Sequence, residues 1–206
     1  MGKVITIAQG KGGSGKTTTT INIAGAFLER GYQVVIADMD RDKPDAVNWL
    51  KVGNSKLKDA TIELFDENPM EKVNKLKEKY EYVFIDTPPN FQTAAIKAVM
   101  LSDFVILPTS DSMIDQLSLS NAVSIPKMAG KKYALLANRV DKRSNASNAL
   151  IKSLENTGTS FKTYITARKK MVEAQFEGKW IGEYDPYGDN HYQYKQLVDE
   201  VLSQLK

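Results

Sequence analysis

The chain has 206 residues, 42% hydrophobic and 26% charged, a composition that suits one α/β domain or two very small ones. It has no cysteine and one histidine, His191, which excludes disulfide scaffolds, iron–sulfur clusters, thiolate zinc sites, cysteine nucleophiles and multi-histidine metal centres. The net charge of +3 hides a segregation: residues 126–170 carry 11 basic and 2 acidic side chains, against a net −2 for residues 1–125 and −4 for residues 171–206.

Short apolar runs alternate with stretches of helical period, the pattern of βα units around a parallel sheet. Val4–Ala8 reads as the first buried strand, and Thr17–Arg30 as a helix with Ile21, Ala24, Phe27 and Leu28 on one face and Gly31 as its stop. Strands follow at Gln33–Asp38, Tyr82–Asp86, Phe104–Pro108 and Tyr133–Asn138, with Phe161–Thr166 as a further strand and Ala60–Phe65 at an edge. Helices are expected over Pro44–Lys51, Pro69–Lys79, Phe91–Met100, Gln116–Met128, Ala146–Asn156, Arg168–Glu177 and His191–Leu205. No repeat or Gly/Ser linker offers a boundary, so the expectation is a single doubly wound α/β domain over residues 1–206, a mostly parallel sheet flanked by helices. No window approaches the roughly 18 apolar residues of a membrane span and the first residues enter a strand pattern at once, which points to a cytoplasmic chain without stable membrane insertion.

The first strand runs into Gly10-Lys11-Gly12-Gly13-Ser14-Gly15-Lys16-Thr17 with a helix behind it, the context that G-x-x-x-x-G-K-[ST] requires. Glycines let consecutive backbone N–H groups turn toward phosphate oxygens, and the helix N-terminus adds partial positive charge. A lysine at position 16 then reaches the β and γ phosphates, and a threonine at 17 ligates Mg²⁺. Gly10-x-Gly12-x-x-Gly15 also spells a dinucleotide fingerprint, with Asp38 placed to hold a ribose. A nicotinamide site has no use for Lys16-Thr17 after the third glycine, nor for a second aspartate, Asp86, closing the apolar run Tyr82–Ile85, where it would hold Mg²⁺ through water.

Lys11-Gly12-Gly13-Ser14-Gly15-Lys16-Thr17-Thr18 resembles the deviant Walker A box of the ParA/MinD ATPases, with its extra lysine near the start. Asp38-Met39-Asp40, Asp86-Thr87-Pro88-Pro89, Ser102-Asp103 through Pro108 and Asn138-Arg139 match in order, so the resemblance covers essentially the whole chain. It is nearest to small plasmid-partition ParA proteins without an N-terminal helix-turn-helix domain, since Gly2-Lys3-Val4 enters the first strand directly. The resemblance implies a P-loop ATPase that uses ATP and Mg²⁺, forms a nucleotide-sandwich homodimer in the ATP state, binds DNA without sequence preference and answers to a ParB-like or centromere-binding partner. It would be cytoplasmic, and nucleoid-associated when ATP is bound. Carried over to these positions, Lys11 would reach the partner subunit's phosphates and Lys16 those of its own. Gly12, Gly13, Ser14, Gly15 and Thr18 would complete the ATP-binding loop, and Asn138 would sit against the adenine. Thr17 and, through water, Asp86 would hold Mg²⁺, while Asp40 would orient the attacking water. The family usually continues Asp-x-Asp with Pro-Gln; here Arg41-Asp42-Lys43-Pro44 follows.

The basic stretch reads either as a solvated lysine-rich surface or as a polyanion footprint. The resemblance favours the second, with Arg168-Lys169-Lys170 at a helix start as the DNA-contacting part. The apolar stripe Leu197, Val198, Val201, Leu202 and Leu205 could instead suggest MinD-like membrane binding, but Asp199 and Glu200 interrupt it, so packing onto the sheet is expected. Tyr184, Tyr187, Tyr192 and Tyr194 raise the bacterial tyrosine kinases, which share the core; that loop usually lacks a lysine at the place of Lys11.

Overall fold

A computed structural model of the chain describes residues 1–89 and 93–206, and for residues 113–118 the backbone alone. The order of elements is β1 (Lys3–Ile7), α1 (Lys16–Glu29), β2 (Val34–Asp38), α2 (Asp45–Val52), a 3₁₀ turn (Lys58–Ala60), β3 (Thr61–Glu63), α3 (Met70–Lys79), β4 (Tyr82–Asp86) and α4 (Thr93–Leu101). The chain continues through β5 (Phe104–Thr109), α5 (Met113–Met128), β6 (Lys132–Ala137), α6 (Asn145–Glu155), α7 (Lys169–Phe176), α8 (Ile181–Tyr184) and α9 (Asp189–Gln204). Six strands form one sheet in the order β3-β2-β4-β1-β5-β6, and every pairing is parallel. The doubly wound α/β expectation therefore holds.

Alternation along the strands builds two faces. Ile5, Ile7, Val34, Ile36, Phe84, Phe104, Ile106 and Leu136 point to one side, where they pack with α1, α2, α7, α8 and α9. Val4, Val35, Val83, Ile85, Val105, Leu107 and Leu135 point to the other, under α3 to α6. A sheet covered on both faces explains why its strands read as continuous apolar runs. The C-terminal stripe of α9 lies inside the first layer: Leu197, Val198 and Val201 are fully buried there with Ile21 and Phe27 of α1. Among the described residues, no helix is long and apolar enough to cross a membrane.

Two expectations need amendment. The strand expected at Phe161–Thr166 does not form a continuous ladder; the segment runs along the β6 edge, where the N–H groups of Phe161 and Ile165 donate to the Leu135 and Ala137 carbonyls (3.0 and 2.9 Å), with isolated bridges at Leu135↔Ser160 and Val140↔Thr166. The interruption comes from α9, whose Glu200 carboxylate accepts the N–H of Thr163 (2.8 Å), the one that would continue the ladder between Phe161 and Ile165, together with that of Lys162 (2.7 Å), while Gln193 Oε1 accepts the outward N–H of Thr166 (3.0 Å). The edge expected at Ala60–Phe65 is real but shrinks to β3, paired to β2. Residues 91 and 92 of the helix expected from Phe91 lie outside the described residues.

Candidate functional site

The site lies beyond the C-terminal ends of the strands, where β1 passes into the loop before α1 and β5 turns to the other side, the usual crevice of an open parallel sheet. Gln9, fully buried at the end of β1, fixes the entry: its Oε1 accepts Gly10 N–H at 2.8 Å and its Nε2 donates to the Pro108 carbonyl at 3.3 Å. The loop then needs two left-handed residues, Gly13 at φ 75° and Gly15 at φ 93°. At Gly15 glycine is required twice over, because a Cβ there would stand 2.2 Å from Asn138 Nδ2.

Lys16 opens α1 with its side chain buried, Nζ donating to the Lys11 carbonyl at 3.2 Å. Burial pulls its pKa down, and Asp86, Asp40 and Asp45 oppose that shift. Asp38 and Asp86 are register partners on β2 and β4 and both are buried. Burial first, then the Asp38 charge, raises Asp86 to about 7, against hydrogen bonding from the Thr17 and Thr20 hydroxyls and the charge of Lys16. Burial likewise raises Asp38 to about 6, resisted by the N–H groups of Asp40, Val47 and Ala46.

In front of the loop lies a cavity of about 650 Å³. Gly12, Gly13, Gly15, Lys16, Thr17 and Thr18 line one wall, Asp40 and Lys43 a second, and Asn138, Arg139, Arg168 and Lys169 the opposite side. Lys11 is not among the lining residues; its Nζ donates to Ser112 Oγ at 3.1 Å, at the start of α5. Asp86 sits behind the loop, beneath Thr20, whose hydroxyl donates to it at 3.2 Å. Asn138 is buried at the end of β6, and its Nδ2 donates to the Ser14 carbonyl at 3.2 Å.

The basic triplet falls partly in this wall. Arg168 Nη2 is 2.9 Å from Asp189 and Lys170 Nζ 2.8 Å from Asp185, both pairs exposed. Cations at a helix start oppose its dipole, and these acids from the start of α9 and the turn before it offset that repulsion. Sequence reasoning missed the cavity wall formed by Met171, Val172 and Gln175 of α7, for which nothing but a helical period was visible. It also missed the backbone of Arg139, the one non-glycine among the described residues with positive φ, at 57°. Such a conformation costs about 1–2 kcal/mol and needs a reason.

The residues fit a bound nucleotide and divalent cation. Ser14 Oγ is buried in the loop without a hydrogen-bond partner, the Lys16 ammonium is desolvated, and the Asp86 carboxylate is buried where a cation would hold it ionised. No cluster of three or more His, Cys, Asp or Glu occurs among the described residues, so phosphate and water would have to supply most ligands of any metal.

Residues 5–181 match the CobQ/CobB/MinD/ParA nucleotide binding domain. The chain is 31% identical to maintenance of carboxysome distribution protein A of Gloeobacter kilaueensis, over 88% of its own length and 86% of that protein's. It is 25% identical to sporulation initiation inhibitor protein Soj of Bacillus subtilis, over 98% and 99% of the two chains. Among solved structures, the septum site-determining protein MinD of Pyrococcus horikoshii, complexed with Mg-ADP, superposes with a TM-score of 0.81 at 24% identity, covering 98% of this chain and 96% of that one.

Proposed function

From the premise that this chain belongs to the CobQ/CobB/MinD/ParA family of nucleotide-binding domains, we propose that it is a ParA-type ATPase whose ATP-bound form dimerises and binds DNA nonspecifically, with slow hydrolysis resetting the monomer. The observation that carries this reading is the separation of the two loop lysines. Lys16 is buried beneath its own cavity, whereas Lys11 is turned out of it toward Ser112, where a second subunit's phosphates could meet it. In this reading Gly12 to Gly15, Lys16 and Thr18 bind the ATP phosphates and Asn138 lies on the side of the base. Thr17 and, through water, Asp86 hold Mg²⁺, whose role when bound is to neutralise charge on the β and γ phosphates. Asp40, on the cavity wall, orients the attacking water. Phosphoryl transfer asks for little more than placed cations and a positioned nucleophile, and these residues supply both.

The DNA surface is read from the basic segment of residues 126–170, with Arg168, Lys169 and Lys170 at its centre. Plasmid DNA is the cargo this reading favours, with a ParB-like or centromere-binding protein as the stimulating partner and a nucleoid-associated ATP form. The likeness to a carboxysome distribution protein supports a second reading, in which the same cycle spaces a protein body. Membrane binding through the C-terminal helix finds no support, since its apolar stripe is already packed on α1.

The test is binding to a nonspecific duplex with ATP, ADP or no nucleotide at two salt concentrations, with mass followed by light scattering. The reading predicts a dimer and salt-sensitive DNA binding with ATP alone. DNA affinity indifferent to nucleotide would overturn it.

A further inference from the structure

Three carbonyls of the phosphate loop are held by side chains. Lys16 takes that of Lys11, Asn138 that of Ser14, and Arg139 Nη1 that of Gly13 at 3.0 Å. Two of these donors are consecutive residues at the end of β6, and Arg139 reaches the loop from its left-handed backbone.

That backbone is imposed from both sides. Asn138 N–H donates to Thr109 of β5 (2.7 Å), but Val140 N–H donates to Ile165 on the opposite side (2.9 Å), and Ala167 N–H returns to the Val140 carbonyl (2.9 Å). Ile165 also donates its own N–H to the Ala137 carbonyl (2.9 Å), so one residue of that segment spans Ala137 to Val140, and Asn138 and Arg139 make a bulge in which Arg139 takes the positive φ. Glycine would occupy such a turn without strain. Arginine is there instead, exposed, with the loop carbonyl as its partner.

A peptide unit is planar, with its C=O and N–H pointing in opposite directions. Pinning the Gly13 carbonyl against Arg139 turns the Ser14 N–H the other way, and pinning the Ser14 carbonyl against Asn138 does the same for Gly15 N–H. We propose that Arg139 is a positioning residue of the phosphate site: its guanidinium, delivered by the left-handed turn, holds the loop with consecutive N–H groups presented to the anion before any nucleotide arrives. The proposal rests on the loop being a phosphate site, as argued above, and adds a residue that acts on phosphates through the loop's Gly13 carbonyl.

The test uses the full chain with Arg139→Gly, Arg139→Ala and Arg139→Lys. Affinity is measured by calorimetry for ATP and for inorganic tripolyphosphate, which has no base or ribose, and amide hydrogen exchange is followed in the free protein. Arg139→Gly should weaken both ligands by the same factor, about 2- to 12-fold, the range expected for losing one typical hydrogen bond at an exposed side chain. It should do so with a melting temperature at or above that of the parent, because glycine relieves the strained φ. Arg139→Ala should show the same loss of affinity with a lower melting temperature, and Arg139→Lys a smaller loss. Exchange at Ser14 and Gly15 should accelerate in Arg139→Gly without ligand.

Unchanged tripolyphosphate affinity in Arg139→Gly would overturn the proposal. So would a loss for ATP alone, which would place Arg139 on the nucleoside. A parent protein that binds tripolyphosphate yet shows no ATP-dependent dimer would overturn the functional reading instead, and the Arg139→Gly factor would still decide this proposal.

Discussion

Asp38 holds the backbone of Asp40: its Oδ1 accepts the Asp40 N–H at 3.0 Å, and its Oδ2 accepts those of Ala46 at 2.9 Å and Val47 at 3.3 Å. Helix α2 has Pro44 at its N-cap, which supplies no side-chain acceptor, so a carboxylate from the end of β2 caps it from outside. One buried side chain thereby sets both ends of the turn that carries Asp40 to the cavity. Replacing Asp38 with Ala leaves three N–H groups without that acceptor and should cost about 2–3 kcal/mol in urea unfolding. In the proposed ATPase it should also slow phosphate release at least tenfold, with Asp38→Asn in between because its oxygen can still accept one set of donors. A destabilised Asp38→Ala enzyme with full turnover would show that Asp40 finds its place without this anchor.

Lys11 donates to Ser112, outside the cavity that Lys16 serves. If Lys11 acts on a second subunit's phosphates, Lys11→Ala should bind ATP as a monomer within about threefold of the parent affinity, the range of a single exposed contact, yet fail to dimerise with ATP. Calorimetry and light scattering on the same preparation separate the two effects. Parallel loss of both would return Lys11 to its own site.

How much of this was legible follows from distance along the chain. The phosphate loop and the strand-ending Asp38 and Asp86 were readable because their meaning lies within about ten residues of local pattern. The cap that Asp38 makes on Ala46 and Val47 was not, since it depends on how α2 packs. Phe161–Thr166 had strand composition, but Glu200, far along the chain, takes the Thr163 N–H between the Phe161 and Ile165 N–H groups that do reach β6. Arg139 carried no local mark of positive φ; arginine is an ordinary residue there until the bulge between Ala137 and Val140 is seen. Nor could the charge count show that Arg168 and Lys170 meet Asp189 and Asp185.

Those ion pairs sharpen the expectation for DNA. Exposed pairs contribute roughly 0–1 kcal/mol and are easily exchanged for phosphate. Changing Arg168, Lys169 and Lys170 together to Ala should weaken duplex binding and lower the salt slope by up to about three per subunit, one for each phosphate no longer neutralised. The complementary double change Asp185→Asn with Asp189→Asn should strengthen binding, because it frees the same cations from competing acids. Fluorescence anisotropy at several salt concentrations reads both; if neither variant moves the slope, the DNA face lies elsewhere on the basic segment.

The buried carboxylates give the metal-free protein a definite pH response. Asp38 and Asp86 are raised in the fold, to about 6 and about 7, above the unfolded value near 4. A raised carboxylate binds its proton more tightly when folded, so its contribution to stability is fully present below the unfolded pKa and is lost as pH climbs through the folded one. The pair alone should therefore make the metal-free protein less stable at pH 8 than at pH 5.5. Scanning calorimetry with chelator should show that slope, and Asp86→Asn should flatten it whatever it does to absolute stability. A slope unchanged in Asp86→Asn would assign the response to other groups.

The indole of Trp180 stands between two glycines, and this contact connects the helix after the phosphate loop to the C-terminal elements. A Cβ at Gly25 of α1 would lie 2.3 Å from Trp180 Cδ2, and one at Gly182 2.0 Å from its Cη2. The ring has no room to retreat: it is 4% exposed, its edge meets His191 at 5.4 Å, and Ile181 N–H is tied to Asn22 Oδ1 at 2.7 Å. Alanine in mid-helix is normally favoured over glycine by about 1 kcal/mol, whereas overpacking costs about 1–3 kcal/mol, and more against a rigid ring. Gly25→Ala should thus destabilise the protein despite its better helix propensity. With Trp180→Leu, which removes the atoms it would strike, the same change should become neutral or stabilising. A double-mutant cycle in urea measures that reversal, and additive effects would show that α1 shifts to absorb the methyl without the indole resisting it.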